Sequence, residues 1–421
     1  MLLSLYHLAW TLIAVPLLPF AAFSRSDRLR QRLALSYLPE RRWGKSIWIH
    51  ALSVGEVISA LPLVRAMRQA YPSKDIVFTV TTSQGMDIAR REVQAEVRAL
   101  LPMPLDFWWS IDRLSGSLDP ELFIIVETDL WPGLMHHVKQ RGAHTLLVNG
   151  RISPRTLRAY KRCPPIARMM YQDVDLCFMQ TDLDTERLTR IGVPPHKVKT
   201  LGNIKFDRDW PVMNRDEYDL WLRELHLNAE DPVWVAGSTH QGEDAIVLDV
   251  FQNLLPLFPR LRLIIAPRRL DDATGIQRLA ELKALTPVLR TDVAGADASY
   301  DVLILNSIGE LGRVYGIATI SFVGGSLVPQ GGHNPLEPAS LGCPVLFGPH
   351  TQDFDMMSEM LIEAGGGKRV KDGQELFIAM KELLSERANA EQMGNRGKGF
   401  VELNRGSLAR VMDHLRACLG E

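Results

Sequence analysis

From residue 46 onward the chain alternates short apolar runs, each about one strand long, with stretches whose apolar positions recur at helical spacing. Apolar runs without polar alternation are buried on both faces, and the segments between them are long enough for crossover helices, so the pattern selects a doubly wound parallel sheet. Strands are expected at Ser46 to His50, Ile76 to Thr81, Leu122 to Val126 and Thr145 to Val148, with weaker ones near Leu176 and Val198. A second series follows at Val233 to Ala236, Leu261 to Ala266, Val302 to Leu305, Ile320 to Val323 and Val345 to Phe347. Between Phe206 and Val212 the residues Asp207, Arg208, Asp209 and Pro211 interrupt the apolar period, which places a domain boundary there. The stretch from Asn404 to Leu419 reads as a helix with Leu408, Val411, Met412, Leu415 and Leu419 on one face, and nothing in the sequence says what that face packs against. The expected organisation is therefore a segment over 1–23, a domain over 24–207, a second over 208–403 and a helix over 404–421. A chain of 421 residues, 46% hydrophobic and 23% charged, has enough apolar surface for both cores.

With 48 Lys and Arg against 49 Asp and Glu there is no polybasic surplus, and four cysteines at 163, 177, 343 and 418 make no metal-ligating spacing. A bulk nucleic-acid binder and a cysteine-ligated metal protein are both excluded on these grounds. Met1 to Phe23 carries no charged side chain and is long enough to span a bilayer as a helix, although Pro16 and Pro19 would kink it or leave it half inserted. Arg25, Arg28, Arg30, Arg32, Arg41, Arg42 and Lys45 follow it, and positive charge on that side argues for a single N-terminal anchor with the rest of the chain on the cytoplasmic side. A cleaved signal peptide would carry its basic residues before the apolar stretch, and a core helix of a soluble domain is the remaining alternative.

In open parallel sheets ligands sit beyond the carboxyl ends of the strands, so the residues in those turns carry the functional argument. The first turn is His50-Ala51-Leu52-Ser53-Val54-Gly55-Glu56, where Glu56 falls in the first turn of a helix; a carboxylate there also serves simply to complement the helix dipole. The second, Glu127-Thr128-Asp129-Leu130-Trp131-Pro132, puts two acids after a buried strand, a pattern that capping alone would also produce. In the second series Gly237, Ser238 and Thr239 follow a strand as small residues suited to an anion at a helix start, and Pro267, Arg268 and Arg269 put fixed positive charge at another strand end. The densest turn runs from Gly324, Gly325 and Ser326 through Gly331, Gly332, His333, Asn334, Pro335, Leu336 and Glu337, where glycines admit close backbone approach and an acid follows one turn into a helix. Walker A, His-Glu-x-x-His, EF-hand and Gly-x-Ser-x-Gly patterns do not occur, and no metal site is expected.

These motifs, together with Thr79 to Gly85, Gly202 to Asp207, Gly237 to Glu243, Gly309-Glu310-Leu311, Phe322 to Glu337 and Gly348 to Thr351, resemble in order and over nearly the whole chain the membrane-anchored transferases of 3-deoxy-D-manno-oct-2-ulosonic acid (Kdo) in lipopolysaccharide biosynthesis. The resemblance implies an α/β fold of GT-B type, two Rossmann-like doubly wound domains facing a cleft behind an N-terminal membrane-anchor helix. It implies transfer of Kdo from CMP-Kdo to a sugar hydroxyl of a lipid A precursor, with inversion and without metal or other cofactor. Glu56 becomes the general base that takes the acceptor's proton. A helix start lowers the pKa of that carboxyl and desolvation raises it, and the sequence does not decide between the two.

For the donor, the resemblance points to Gly237, Ser238, Pro267, Arg268, Gly309, Glu310, Leu311, Gly325, Gly332, Asn334, Pro335, Leu336 and Glu337, with Glu337 on the ribose hydroxyls. Ser53, Glu127, Lys205 and Arg151 are further candidates for the donor sugar or the acceptor, Lys205 for the Kdo carboxylate. Arg151, Arg155, Arg158, Lys161 and Arg162 form a basic run suited to lipid phosphates or simply to solvent. Asn306 and Ser307 stand where the family often has Asp-Thr, and Gly150 and Asp353 where Ala and Asn are expected. Another GT-B enzyme with a UDP-sugar donor, or a nucleotide-sugar binder without turnover, are the alternative readings.

Overall fold

A computed structural model describes residues 2–22, 27–35, 44–208, 210, 212–293 and 300–420, with only the backbone described over 17–22. Two compact units result, one of residues 1–208 with 404–421 and one of 209–403. The first holds a seven-stranded sheet of β1 (Ser46–Ala51), β2 (Asp75–Val80), β3 (Ala99–Pro102), β4 (Pro120–Val126), β5 (His144–Gly150), β6 (Leu176–Met179) and β7 (Val198–Thr200). Its spatial order is β3-β2-β1-β4-β5-β6-β7, and every pairing is parallel. The second unit holds β8 (Val233–Thr239), β9 (Arg262–Pro267), β10 (Pro287–Leu289), β11 (Val302–Ile304), β12 (Ile320–Val323), β13 (Val345–Phe347) and β14 (Gly367–Arg369), in the order β10-β11-β9-β8-β12-β13-β14 and again all parallel.

Each sheet is covered on both faces by helices, and each face has its own apolar cluster. On β1, Ile47 and Ile49 pack with helix Val54–Ala70, while Trp48 packs on the other face with Phe123, ring centroids 4.8 Å apart. The chain order reverses between β1 and β4 in the first unit and between β8 and β12 in the second, so the turns after these four strands open at the switch points. Three strands escape the sequence reading, β3, β10 and β14. All three are sheet edges of three or four residues with one neighbour each, too short for a hydrophobic period to declare itself.

Helix Ser407–Leu419 packs into the first unit, its Val411, Met412 and Leu415 joining the cluster built on Ile49 and Val57. Asp207 fastens its start, taking the Gly406 N–H at 2.5 Å and the Leu408 N–H at 2.7 Å, while the Arg410 guanidinium reaches the Leu201 carbonyl at 2.8 Å. Of the boundary residues, Asp209 and Pro211 lie outside the described residues.

Helix Leu2–Ala22 lays one stripe on the first unit. Tyr6 donates to Asp106 at 2.6 Å, and Asp106 in turn takes the N–H groups of Gly133 and Leu134 at 2.9 and 2.6 Å. The opposite stripe, Leu5, Leu8, Leu12 and Ile13, is exposed. Among the described residues no helix is long and apolar enough to cross a membrane. Of the basic flank, Arg32 turns inward to the Met103 carbonyl at 3.0 Å and Arg28 to that of Thr81; Arg25, Arg41 and Arg42 lie outside the described residues.

Asp207→Ala removes the acceptor that stands in for an N-cap side chain, and is expected to cost about 1–2 kcal/mol in urea denaturation. Hydrogen exchange is expected to rise first over 407–419.

Candidate active site

The switch point of the first sheet gathers three carboxylates with different surroundings. Ser53 is the N-cap of helix Val54–Ala70 but its hydroxyl caps nothing; the Glu56 side chain reaches back to accept the Leu52 N–H at 2.6 Å. The Glu56 side chain is buried, its second oxygen 3.4 Å from the Thr128 hydroxyl, and no cation pairs with it among the described residues. Burial pushes its carboxyl up to about 8, against the Leu52 N–H and with help from the negative charge of Glu127 and Asp129. Desolvation is thus the leading influence on this carboxyl, ahead of the Leu52 N–H.

Glu127 follows β4 in a left-handed conformation, φ 68°, which turns its carboxylate toward helix Val54–Ala70. It accepts Ser59 Oγ at 2.7 Å and Lys205 Nζ at 2.8 Å, with Arg151 Nε 3.8 Å away. Burial pushes its pKa up, but Lys205, Ser59 and Arg151 outweigh that and hold it below the usual range. Lys205 is itself positioned by a polar scaffold: Asn203 Oδ1 takes the Lys205 N–H at 3.0 Å, Asn203 donates to Gln180, and Asn149, at φ 59°, takes the Ile204 N–H at 3.1 Å. The lysine assigned by resemblance to a Kdo carboxylate is thus paired with Glu127 inside the first unit. Arg151 is exposed beside the same acid, and Arg155, Arg158, Lys161 and Arg162 line the exposed helix Pro154–Arg162 without an ion pair among the described residues.

Asp129 is bound to His50 Nε2 at 2.9 Å and to the Thr81 hydroxyl at 3.1 Å. The fully buried His50 ring is anchored on its other nitrogen by Thr79. Burial raises the Asp129 carboxyl as well, yet the His50 contact leads the interactions that hold it low. The sequence places His50 at the end of a strand and the start of the turn to Glu56, but nothing local shows that its ring reaches Asp129.

The second unit departs from the sequence reading at two points. β8 continues through Gly237, Ser238 and Thr239, with Ser238 at φ 56°, and the next helix begins only at Glu243, so Gly237 and Ser238 do not lie at a helix N-terminus. Gly237 is small for a packing reason: a Cβ there would meet the Tyr315 hydroxyl at 1.9 Å and Leu311 at 3.0 Å. The Gly-rich turn after β12 is already filled by a protein carboxylate. Buried Glu243 takes the N–H groups of Gly325, Ser326 and Leu327 at 2.6, 2.9 and 2.7 Å and that of His240 at 3.0 Å, so the Gly325 N–H is not free for a ligand.

The remaining donor candidates are placed as follows. Pro267 ends β9, and Arg268 is exposed beyond it, its N–H on the Thr239 carbonyl at 2.9 Å and its guanidinium without an ion pair among the described residues. Gly309, at φ 87°, leads into Glu310, which pairs with Arg290 at 3.1 Å and accepts from Ser307; Leu311 opens the short helix Leu311–Val314. Asn306 Oδ1 takes the Thr291 N–H at 3.2 Å, so Asn306 and Ser307 both brace this loop. Gly332, at φ 76°, donates to the Gly325 carbonyl at 2.8 Å; Asn334 takes the Leu336 N–H at 3.1 Å, and Pro335, Leu336 and half-buried Glu337 start a single helical turn, Leu336–Ser340. His240 and His333, which the sequence reading left without a role, meet at 2.8 Å between their Nε2 atoms.

The sequence profile of the family described as 3-deoxy-D-manno-octulosonic-acid transferase (kdotransferase) matches residues 27–208. A 3-deoxy-D-manno-octulosonic acid transferase of Haemophilus influenzae is 35% identical over 94% of this chain and 93% of its own length. Among solved structures, a glycosyltransferase from Rickettsia africae matches with a TM-score of 0.55 at 11% identity, over 90% of this chain and all of its own. A UDP-GlcNAc 2-epimerase from Neisseria meningitidis bound to UDP-GlcNAc gives 0.57 at 15% identity, over 88% and 99%. At those identities the structures speak to the fold alone, two parallel-sheet α/β units like those of GT-B glycosyltransferases. On the strength of the full-length match, the chain belongs to the 3-deoxy-D-manno-octulosonic acid transferase family and is a glycosyltransferase.

Proposed function

We propose that the chain transfers Kdo from CMP-Kdo to a sugar hydroxyl of a lipid A precursor, with Glu56 as general base. The observation that carries this reading is the environment of Glu56, a buried carboxyl without a cationic partner and raised to about 8. A carboxylate of that basicity accepts a hydroxyl proton far more readily than an exposed one, and a catalytic pKa near the working pH is what general base catalysis asks for. Glu127 and Asp129 stay ionised beside it, and their charge favours the proton's arrival on Glu56. In the transfer the acceptor oxygen bonds to the anomeric carbon as its proton passes to Glu56. The bond from that carbon to the phosphate oxygen breaks, and its electron pair leaves with CMP.

The second unit is proposed as the donor side, with Arg268 the cation that meets the phosphate and Glu337 the acceptor for ribose hydroxyls. Arg151 and the unpaired cations of helix Pro154–Arg162 are proposed to meet the phosphates of the lipid acceptor. Helix Leu2–Ala22 is proposed to lie in the surface of an inner membrane on its cytoplasmic side, its exposed Leu5, Leu8, Leu12 and Ile13 entering the acyl region. Trp108 and Trp109, exposed two and three residues after the Asp106 that holds Tyr6, are aromatic side chains suited to the same boundary.

Incubation with CMP-Kdo and a tetraacyl lipid A precursor is expected to release CMP and to add Kdo mass to the lipid; turnover with UDP-sugars in place of CMP-Kdo would overturn the donor assignment. Glu56→Gln is expected to lower kcat by ~10²–10⁴-fold while CMP binding persists. In the wild type, kcat/KM should rise with pH to a plateau with its midpoint near 8.

The same carboxyl also has a signature in stability. Between the ordinary value of 4.5 and about 8 the folded chain holds a proton that the unfolded chain has lost, so this group's contribution to stability falls as pH rises through that window. Glu56→Gln is therefore expected to melt above the wild type at pH 8, and the gap should close toward pH 4.5.

Replacing Leu8 and Leu12 together by Asp should abolish co-sedimentation with anionic liposomes and leave CMP binding unchanged. Retained co-sedimentation would remove the membrane role of the first helix.

A further inference from the structure

His240 and His333 come from the turns after β8 and β12, on either side of the switch point of the second sheet. Positive φ angles at Gly331 and Gly332, 90° and 76°, fold the second turn back so that the His333 N–H reaches the Gly324 carbonyl at 3.1 Å. Both rings then lie over Gly325, where a Cβ would stand 3.1 Å from His333 and 3.4 Å from His240. Their planes are 10° from parallel, and the two Nε2 atoms are 2.8 Å apart.

A hydrogen bond between two imidazole nitrogens needs a proton on one and a lone pair on the other. The bonded pair therefore carries two protons when neutral, or three when it holds a single positive charge shared between the rings; a fourth breaks the contact. Burial pushes His333 down to about 4, with Arg268 and then His240 adding to that.

The Glu243 carboxylate is spent on four backbone N–H groups, one of them that of His240; Asp353 lies against Gly331; and His350 presents only its carbonyl to Gly332. What faces the pair is the positive charge of Arg268, without an ion pair among the described residues. An anion placed there would remove the penalty for the third proton and bond to the charged imidazole.

We propose that His240 and His333 act as one proton-holding unit that binds the phosphate of the donor nucleotide, taking up a proton as the phosphate enters and releasing it when the product nucleotide departs. This rests on the reading of the second unit as the donor side. During transfer the phosphate gains one negative charge when the electron pair of the broken carbon–oxygen bond stays with it. The shared imidazolium faces that charge and keeps its proton, while the acceptor's proton goes to Glu56, so protons balance over the cycle.

The test is calorimetric titration of CMP into the full chain at pH 7 in two buffers of different ionisation heat. Uptake of roughly one proton per CMP is expected, with CMP affinity falling by up to ~10-fold per pH unit as pH rises further. Both effects should vanish in His333→Gln and in His240→Gln, and cytidine, which lacks the phosphate, should bind the wild type without proton uptake. CMP binding without uptake, or uptake unchanged in both variants, would overturn the pair's role and leave the donor assignment standing. Binding of UDP but not CMP, with uptake lost in either variant, would support the pair and overturn the CMP assignment. Uptake with cytidine equal to that with CMP would detach the proton from the phosphate and so also refute the proposal.

Discussion

A parallel sheet covered on both faces leaves polar side chains almost nowhere to go except beyond its strand ends, and the chemistry of this chain follows from that constraint. The strands contribute residues such as Ile47, Ile124, Leu263 and Phe322, all fully buried. Among the acids the fold takes in, Glu56, Glu127 and Glu243 are buried and Asp129 partly so, and these come just after β1, β4 and β8. For Glu56, Glu127 and Asp129 burial on the strand side penalises the charged form, so the partner each finds in the turn decides its charge state.

The three acids of the first unit show how much the partner matters. Glu127 finds Lys205 and Ser59, and Asp129 finds His50 and Thr81; both are held ionised in spite of burial. Glu56 finds one backbone N–H and a distant hydroxyl, and is left as the basic member of the group. Environments that push neighbouring carboxyl pKa values apart are how one site separates a proton acceptor from fixed negative charge. A raised pKa at Glu56 costs stability at neutral pH, a cost accepted where the group is wanted for its basicity.

Legibility in the sequence followed the same division. The central strands were readable because their apolar runs have no polar alternation, whereas β3, β10 and β14 are edges of three or four residues and carry no period. The positions of Glu56 and Glu127 beyond strand ends were readable for the same reason that the strands were. Their partners were not: the Lys205 contact spans 78 positions in the chain, from Glu127 in one turn to a scaffold of Asn149, Gln180 and Asn203 in others, and nothing local announces it. The glycines after β12 announced a close backbone approach, but what approaches is Glu243, an acid 82 positions upstream of Gly325.

That last displacement changes the physics expected of the donor side. Had the backbone N–H groups of Gly325, Ser326 and Leu327 been open, they would have met an anion as fixed dipoles, indifferent to pH. With Glu243 occupying them, positive character in that turn falls to side chains, a guanidinium at Arg268 and two imidazoles in contact. Arginine keeps its charge throughout the physiological range, and a histidine pair does not. On the proposed reading, the second sheet has exchanged a fixed anion cradle for one whose charge depends on whether an anion is present, because the carboxylate that locks the loop in place consumes the donors that loop would otherwise have offered.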